Sequence, residues 1–189
     1  MPILLSPHNP RYTTQFITTK STLHELLHGI PTLSIEHVGS TSIPGLLAKP
    51  IIDIDIIVSP SSLAATRTAL VAAGYKDLGE MGVEGRFAFR EPGVGDEERK
   101  GKEFKENTYV CIEGCLSLRN HRDVKRVLLQ DGGLRREYGE CKRRLVEEIG
   151  DAEGGMDDYV RGKTGVLGEV LRKAGWSEEM LEVVRRVNE

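Results

Sequence analysis

The stretch that decides the fold is "IEHVGSTSIPGLLAKPIIDIDIIV", residues 35–58, in which a Gly-Ser turn precedes a β-branched run with two aspartates. Side chains alternate between the faces of a strand, so Asp53 and Asp55 are predicted to share one face and the neighbouring isoleucines the other. Two ionised carboxylates this close repel each other, and burial makes their charge still more costly. A divalent cation would neutralise them. Magnesium suits such a pair because it binds through one or two carboxylates plus phosphate oxygens.

The same stretch predicts a phosphate-binding turn in front of the aspartates. Gly39 and Ser40 follow a short alternating strand, and a glycine turn can present backbone N–H groups to an anion. Twelve residues, 41–52, separate Ser40 from Asp53, which is enough for a short helical turn and a loop that returns to the aspartates. Each motif alone also fits an ordinary turn or a solvated edge strand. The surrounding isoleucines favour a site, because an unpaired charge among them would be costly.

The remaining pattern predicts an α/β half followed by a helical half. A helix is predicted over residues 14–30, strands over 32–38, 50–58 and 107–114, and shorter strands near 75–80 and 86–91. The charged segment 91–103 is expected to be an exposed loop, and everything from residue 115 onward reads as amphipathic helices separated by glycines. The chain is therefore interpreted as one domain, 1–189, with an α/β core over 1–115 and a helical extension over 116–189.

Composition narrows the class of protein. The chain has 189 residues, of which 39% are hydrophobic and 29% charged, with a net charge of −3. This balance gives no general basic excess for nucleic acid. The three cysteines lack CxxC spacing, which disfavours a disulfide framework and a structural zinc site. No run of about 18 apolar residues and no signal-peptide pattern occurs, so we expect a cytoplasmic protein without a membrane partner.

The motifs together resemble a known family. A hydrophobic-Gly-Ser turn, about a dozen residues and then Asp-hydrophobic-Asp in a strand resemble the signature of the DNA polymerase beta-like nucleotidyltransferase superfamily. The quoted stretch resembles the GrpB family nearly position for position, and "AAGYKDLGE", "RFAF", "YGECK" and "YVRGKTGVLGEVLRKAG" resemble its later blocks. The resemblance implies an α/β (α+β) nucleotidyltransferase fold, a small mixed β-sheet flanked by helices with a C-terminal helical part.

The resemblance also implies a reaction and a set of residues. In the superfamily the Gly-Ser turn holds a triphosphate and two or three carboxylates hold a divalent metal. It therefore implies Mg²⁺-dependent transfer of a nucleoside monophosphate from a nucleoside triphosphate to an unidentified small-molecule acceptor, with Asp53 and Asp55 as catalytic and metal-binding residues. The candidate phosphate-binding residues are Gly39, Ser40, Thr41, Ser42 and Lys49. The candidate supporting residues are His37, Arg86, Tyr109, Lys142 and Lys163, and Tyr138 and Tyr159 also match family positions.

The sequence departs from the family pattern in two respects, so a function without catalysis is also considered. Tyr109 stands where the family usually has a histidine, and the motif supplies no third carboxylate. Glu113 is the candidate third ligand, because it would share a face with Tyr109 if the strand runs unbroken. The alternative to a transferase is a catalytically inactive module of the same fold that binds a nucleotide or another metabolite.

The remaining polar residues favour ordinary roles. His37 and His121 are expected to be structural or surface histidines rather than general bases, because neither has a partner visible in the sequence. The basic residues of the helical half are expected to form a solvated face, and RNA binding is the less favoured alternative for them. These basic residues are Arg119, Arg122, Lys125, Arg126, Arg135, Arg136, Lys142, Arg143 and Arg144.

Overall fold

A five-stranded mixed sheet forms the centre of the molecule. The computed structural model describes residues 3–93, 103–150 and 155–188, so most of the charged segment 91–103 lies outside the described residues. In space the strands follow the order β1-β2-β5-β4-β3, with β2 and β5 parallel and the other neighbours antiparallel. The strands are β1 (Ser34–Val38), β2 (Ile51–Val58), β3 (Lys76–Gly79), β4 (Arg86–Arg90) and β5 (Lys105–Ile112).

Helices cover the sheet and then form the second half of the chain. A short 3-10 turn, Ser40–Ser42, follows β1, and a second one, Pro60–Ser62, leads into α2. Among the described residues of the α/β half, the helices are α1 (Arg11–Leu26) and α2 (Leu63–Ala72). The helices of the second half are α3 (Leu116–Gln130), α4 (Gly132–Ile149), α5 (Gly155–Gly162), α6 (Thr164–Lys173) and α7 (Glu178–Asn188).

The alternation along β2 separates the two faces of the sheet. Ile52, Ile54 and Ile56 are completely buried and belong to a core that includes Leu23 of α1 and Leu70 of α2. Removing these β-branched side chains from water is the main stabilising term at this face. The aspartates between them point to the opposite face, as the alternation predicts.

The helical half packs against the segment that follows β1. Ile43 and Leu46 share a core with α3, α4 and α6, in which Leu128 and Val170 are completely buried. The Gly-Ser turn is therefore held between the sheet and the helices. The predicted fold class, a small mixed sheet flanked by helices with a C-terminal helical part, is confirmed. Within the described residues, no helix combines the length and apolar character needed to cross a bilayer.

Candidate functional site

The two aspartates of β2 lie beside polar residues of β5. Asp53 pairs in register with Asn107 and Asp55 with Tyr109, so all four side chains share one face of the sheet. The Asn107 amide Nδ2 donates a hydrogen bond to Asp53 Oδ1 at 2.9 Å. Burial raises the pKa of Asp53, and this hydrogen bond partly opposes the rise. The neighbouring strand therefore presents an amide, not a carboxylate, at the position closest to Asp53.

Asp55 is bound by a histidine from the helical half. Its side chain is completely buried, and Oδ2 lies 2.8 Å from Nδ1 of His121 on α3. Burial acts to lower the pKa of His121, but the charge of Asp55, its hydrogen bond and the charge of Asp53 outweigh it, so the pKa is raised. The second oxygen, Asp55 Oδ1, is buried and has no hydrogen-bond partner among the described residues.

Gly39 brings the turn into direct contact with the aspartates. Its φ of +68° lies in the left-handed region, and a Cβ built there would lie 2.2 Å from Asp53 Oδ2. Any other residue would collide with the carboxylate, so the glycine is required for the close approach. The Ser42 hydroxyl donates to the Gly39 carbonyl at 2.7 Å and closes the turn.

His37 supports the turn from the other face of the sheet. It pairs with Ile54, stacks on Phe16 of α1 at 4.9 Å between ring centroids, and places Nε2 3.0 Å from the Thr41 hydroxyl. That hydroxyl donates to the Ile51 carbonyl at 2.8 Å, so His37 Nε2 carries the proton shared with Thr41. Burial, followed by the charge of Lys125, lowers the pKa of His37 to about 4. The predicted structural role of His37 agrees with this geometry, while Thr41 anchors the turn to β2.

Three lysines converge beside the Gly-Ser turn. A pocket of about 260 Å³, the lysine pocket, is lined by Gly39, Ser40, Thr41, Lys49, Ile51, Asp53, Asn107, Tyr138, Lys142, Tyr159 and Lys163. Lys142 Nζ donates to Ser40 Oγ at 3.2 Å and to the Leu47 carbonyl. The lysine Nζ atoms also lie over tyrosine rings. Lys142 Nζ is 4.4 Å from the centroid of the Tyr138 ring. The Nζ atoms of Lys163 and Lys49 are 4.6 Å and 5.3 Å from the centroid of the Tyr159 ring.

The charge of this pocket is not balanced. Burial and then the charge of Lys163 lower the pKa of Lys142 to about 7. Burial and then Lys49 lower the pKa of Lys163 to about 8, and burial also lowers that of Lys49. Three lysine side chains face a single carboxylate, Asp53, among the residues that line the pocket, and their mutual repulsion contributes to the lowered pKa values. An arrangement of this kind is suited to a multiply charged anion.

A larger cleft opens on the other side of the turn. It has a volume of about 860 Å³ and shares Gly39, Ser40 and Tyr138 with the lysine pocket. Arg86, His121 and Lys125 line it, and the Arg86 guanidinium carbon lies 4.8 Å from the Tyr109 ring centroid. Burial raises the pKa of Tyr109 and keeps it neutral. The turn therefore lies at the junction of two compartments of different size, and Asp53 lines the smaller one.

Glu113 is not brought to the aspartates. β5 ends at Ile112, and the backbone N–H of Glu113 bonds the Val58 carbonyl at the far end of β2. Its position is six residues beyond Asn107, which corresponds to about 20 Å along an extended strand. Glu113 is also four residues beyond Tyr109, the residue that pairs with Asp55, so sharing a face with Tyr109 does not bring it to either aspartate. The residue that adjoins Asp53 on this strand is Asn107.

Sequence reasoning missed Asn107 and His121 as members of the site. His121 was expected to be structural or at the surface. In the structure α3 places its ring next to Asp55, although the two residues are 66 positions apart in the chain. Much of the basic series is engaged within the protein: Arg122 binds Glu36 at 3.0 Å, Arg126 binds Asp123 at 2.7 Å, and Lys125 Nζ donates to the His37 carbonyl at 2.7 Å. These contacts favour structural roles for this part of the basic series.

The fold and the arrangement of its polar residues define an α/β protein with an aspartate pair on the second strand of a mixed sheet and a Gly-Ser turn in contact with it. The chain belongs to the GrpB family, whose sequence model, described as "GrpB protein", matches residues 2–173. The family resemblance read from the motifs is thereby confirmed.

Relatives and a solved structure agree with this assignment. The chain is 28% identical over 157 residues to UPF0157 protein YqkA of Bacillus subtilis, covering 82% of this chain and 42% of that protein. It is 44% identical over 175 residues to UPF0157 protein PA4798 of Pseudomonas aeruginosa, covering 89% of this chain and 66% of that one. The chain thus spans less than two thirds of either relative. The crystal structure of GrpB from Enterococcus faecalis matches with a TM-score of 0.71 at 24% identity, covering 92% of this chain and all of that one.

Proposed function

We propose that this protein binds a nucleoside triphosphate with its polyphosphate in the lysine pocket and transfers the nucleoside monophosphate to an acceptor in the adjoining cleft. The observation that carries the proposal is the convergence of three lysines on the Gly-Ser turn beside Asp53. A triphosphate would supply the negative charge that this pocket lacks. Nucleoside triphosphates and magnesium are abundant in the cytoplasm, so the proposal places the protein there.

The carboxylates fit a magnesium ion that enters together with the nucleotide. Asp55 Oδ1 is buried and has no partner among the described residues, and an oxygen in that state suits a hard cation. No group of three His, Cys, Asp or Glu side chains placed to hold a metal occurs in the described part of the chain. Asp53 and Asp55 would therefore hold the ion jointly with phosphate oxygens. When bound, it would neutralise phosphate charge during the transfer.

The chain's own residues would align the reaction. An acceptor hydroxyl would form a bond to the α-phosphorus and give up its proton to solvent water. The bond from that phosphorus to the bridging oxygen would break and release pyrophosphate. The lysines would hold the β- and γ-phosphates, the part that leaves. His121 fixes the orientation of Asp55 through the 2.8 Å contact at Nδ1.

Calorimetry with ATP, CTP, GTP and UTP in the presence of magnesium tests nucleotide binding. Lys142→Met is expected to weaken binding at least tenfold, because hydrogen bonds to charged groups contribute roughly 1.5–3 kcal/mol. Asp53→Asn and Asp55→Asn are expected to abolish the magnesium-dependent part of the binding. Lys76→Met is the matched control, because it removes the same charge from an exposed position on β3, at the opposite edge of the sheet. Absence of heat with all four nucleotides would refute the proposal.

A catalytically inactive module that binds a nucleotide or another metabolite is the second candidate function. The observation that favours it is Asn107, which occupies the position next to Asp53 where a third carboxylate would complete a metal site. This candidate requires ligand binding without turnover. An enzyme-coupled assay for pyrophosphate, run with each triphosphate and a panel of hydroxyl-bearing metabolites, separates the two. Pyrophosphate release that depends on Asp53 and Asp55 would exclude the inactive module.

A further inference from the structure

We infer that the larger cleft is the acceptor site and that it selects a small molecule with an anionic group, a carboxylate or a phosphate, which Arg86 binds. The role of the ligand as acceptor rests on the proposed function. The recognition of an anion at Arg86 rests on the cleft alone.

The cleft has the size and the walls of a small-molecule site. Its volume of about 860 Å³ lies within the range of roughly 300–1,000 Å³ typical of such sites. Val83, Leu116, Val124 and Val184 contribute apolar wall. The charged groups of the lining are Glu80, Glu84, Glu113, Arg86, His121 and Lys125. In a mostly apolar cleft, the polar groups that are not engaged within the protein fix the orientation of a ligand.

Arg86 is the basic group that remains available for a ligand. Of the three basic side chains that line the cleft in the described part of the chain, Lys125 donates to the His37 carbonyl at 2.7 Å and His121 binds Asp55 at 2.8 Å. The Arg86 guanidinium instead lies over the Tyr109 ring, and its Nε atom is buried without a hydrogen-bond partner among the described residues. A guanidinium held over an aromatic ring can still present its planar fork to a carboxylate or a phosphate.

The anion at Arg86 differs from the polyphosphate of the proposed nucleotide. Arg86 lines the larger cleft but does not line the lysine pocket. Its strand, β4, is separated from β2 by β5, which places the two backbones about 10 Å apart. The two compartments therefore carry separate positive groups, and a second anionic ligand can bind in the larger one.

Cys115 provides a reporter inside this cleft. It is half-buried and lines the cleft, whereas Cys111 and Cys141 are buried. A Cβ added at Gly85, the residue before Arg86, would lie 2.9 Å from the Cys115 Cβ, so the thiol lies close to Arg86 along the wall. A hydrogen bond with Cys111 lowers the pKa of Cys115 to about 6, which makes the thiol reactive at neutral pH.

The test compares two aromatic disulfide reagents of different charge. Dithiobis(2-nitrobenzoate) carries carboxylates and 4,4′-dithiodipyridine is neutral. Both react by attack of the Cys115 thiolate on a reagent sulfur, which forms a mixed disulfide and releases the other half of the reagent as a chromophore. The ratio of the two second-order rate constants measures the preference of the cleft for an anionic ligand, and any change in thiol reactivity itself cancels. Cys115→Ser is expected to remove the fast phase with both reagents.

Arg86→Gln is expected to lower this ratio roughly tenfold, because a charge-assisted contact is lost. Arg144→Gln is the matched control: it removes the same charge from an exposed position on α4, and we expect it to leave the ratio unchanged. If Arg86→Gln does not fold, Arg86→Lys serves instead, which keeps the charge but loses the fork, and is expected to lower the ratio severalfold. A ratio unchanged by the Arg86 variant that folds would overturn the inference.

A second experiment tests whether the anion site at Arg86 is distinct from the proposed nucleotide site. With inorganic triphosphate added to fill the lysine pocket, the wild-type preference for the anionic reagent is expected to persist. Loss of that preference would show that Arg86 binds the polyphosphate, and this result would overturn the inference. Neither outcome depends on nucleotide calorimetry. Failure of the nucleotide proposal and failure of the anionic acceptor site are therefore distinguishable.

Discussion

Gly39 and Asp53 touch across the edge of the sheet: a methyl group at residue 39 would lie 2.2 Å from the aspartate's Oδ2. This contact joins the Gly-Ser turn to the first carboxylate without an intervening side chain. Because φ at Gly39 is +68°, the same residue is also needed for the backbone to turn there. The distance between the turn proposed to bind an anion and the aspartate proposed to bind a metal thus depends on one residue, Gly39.

Substitution Gly39→Ala is expected to destabilise the fold by more than the roughly 1–2 kcal/mol that left-handed backbone costs a residue with a Cβ, because the methyl group also collides with Asp53. Gly45→Ala is the matched control, with φ of +77° and no atom within 4 Å of the added methyl group. Urea unfolding of both variants measures the difference. Equal losses of unfolding free energy would show that the contact with Asp53 has no energetic consequence.

The pair of His121 and Asp55 can be tested by two substitutions. His121→Ala would leave the buried carboxylate without its donor, and removal of one partner of a buried pair costs roughly 3–5 kcal/mol. His121 keeps 21% of its side chain exposed, so we expect a loss of about 2–3 kcal/mol. His121→Asn places an amide nitrogen near the position of Nδ1 and is expected to recover part of this loss. Equal unfolding midpoints for the two variants would contradict the proposed hydrogen bond.

Asn107→Asp is expected to make stability depend on magnesium. The new carboxylate would lie beside Asp53, so in chelator the two charges repel and the protein is destabilised by about 1–3 kcal/mol. Magnesium bound between them stabilises the folded state by mass action. On addition of millimolar magnesium, the thermal midpoint of Asn107→Asp is expected to shift more than that of the wild type. The matched control is Asn120→Asp, which adds a carboxylate in the larger cleft and is expected to shift less. Identical shifts in all three proteins would refute this expectation.

Stability is expected to fall in acid because of His37. Its pKa is lowered from 6.5 to about 4 in the folded state, so the unfolded chain binds the extra proton between these values. The stability is therefore complete above about pH 6.5 and is lost as the pH falls towards 4, by on the order of 3 kcal/mol. Lys125 and His8 add positive charge near the ring and act in the same direction. His37→Gln, compared with wild type across this range, is expected to flatten the profile; parallel profiles would contradict it.

Binding of a triphosphate is expected to take up protons near pH 8. In the free protein the pKa of Lys142 is about 7 and that of Lys163 about 8, so both are partly neutral there, and a bound polyanion raises both pKa values. Roughly one proton per complex should be absorbed, and the affinity should fall as the pH rises above 7. Calorimetry in phosphate and Tris buffers measures the uptake. Lys142→Met should reduce it, and equal apparent enthalpies in both buffers would contradict it.

Local patterns were sufficient to predict the sheet face that carries Asp53 and Asp55. The period of two along β2, between Pro50 and Ser59, places both aspartates on the face opposite Ile52, Ile54 and Ile56, and the structure agrees. The Gly-Ser turn was also predictable, since only twelve residues separate Ser40 from Asp53. These features depend on neighbours in the chain, so sequence spacing is a good guide to them.

The partners of the aspartates were not predictable from spacing. Asn107 reaches Asp53 through the parallel register of β2 and β5, and His121 reaches Asp55 from a helix. A register shift of one residue would have moved every β5 side chain to the other face. Glu113 lies beyond the end of β5 at Ile112 and four residues past Tyr109, so it is not next to either aspartate. Lys49, Lys142 and Lys163 meet only because α4 and the segment after α5 pack over the turn.

By itself, the sequence determined the family, the fold class and the aspartate-bearing face, because alternation and turn chemistry act over a few residues. The tertiary structure decided which amide and which imidazole bind the two carboxylates, that three lysines share one pocket, and that a second cleft with Arg86 adjoins it. Those relationships arise from strand register and from packing of the helices on the sheet. Both are set by the burial of the whole core rather than by any single stretch of the chain.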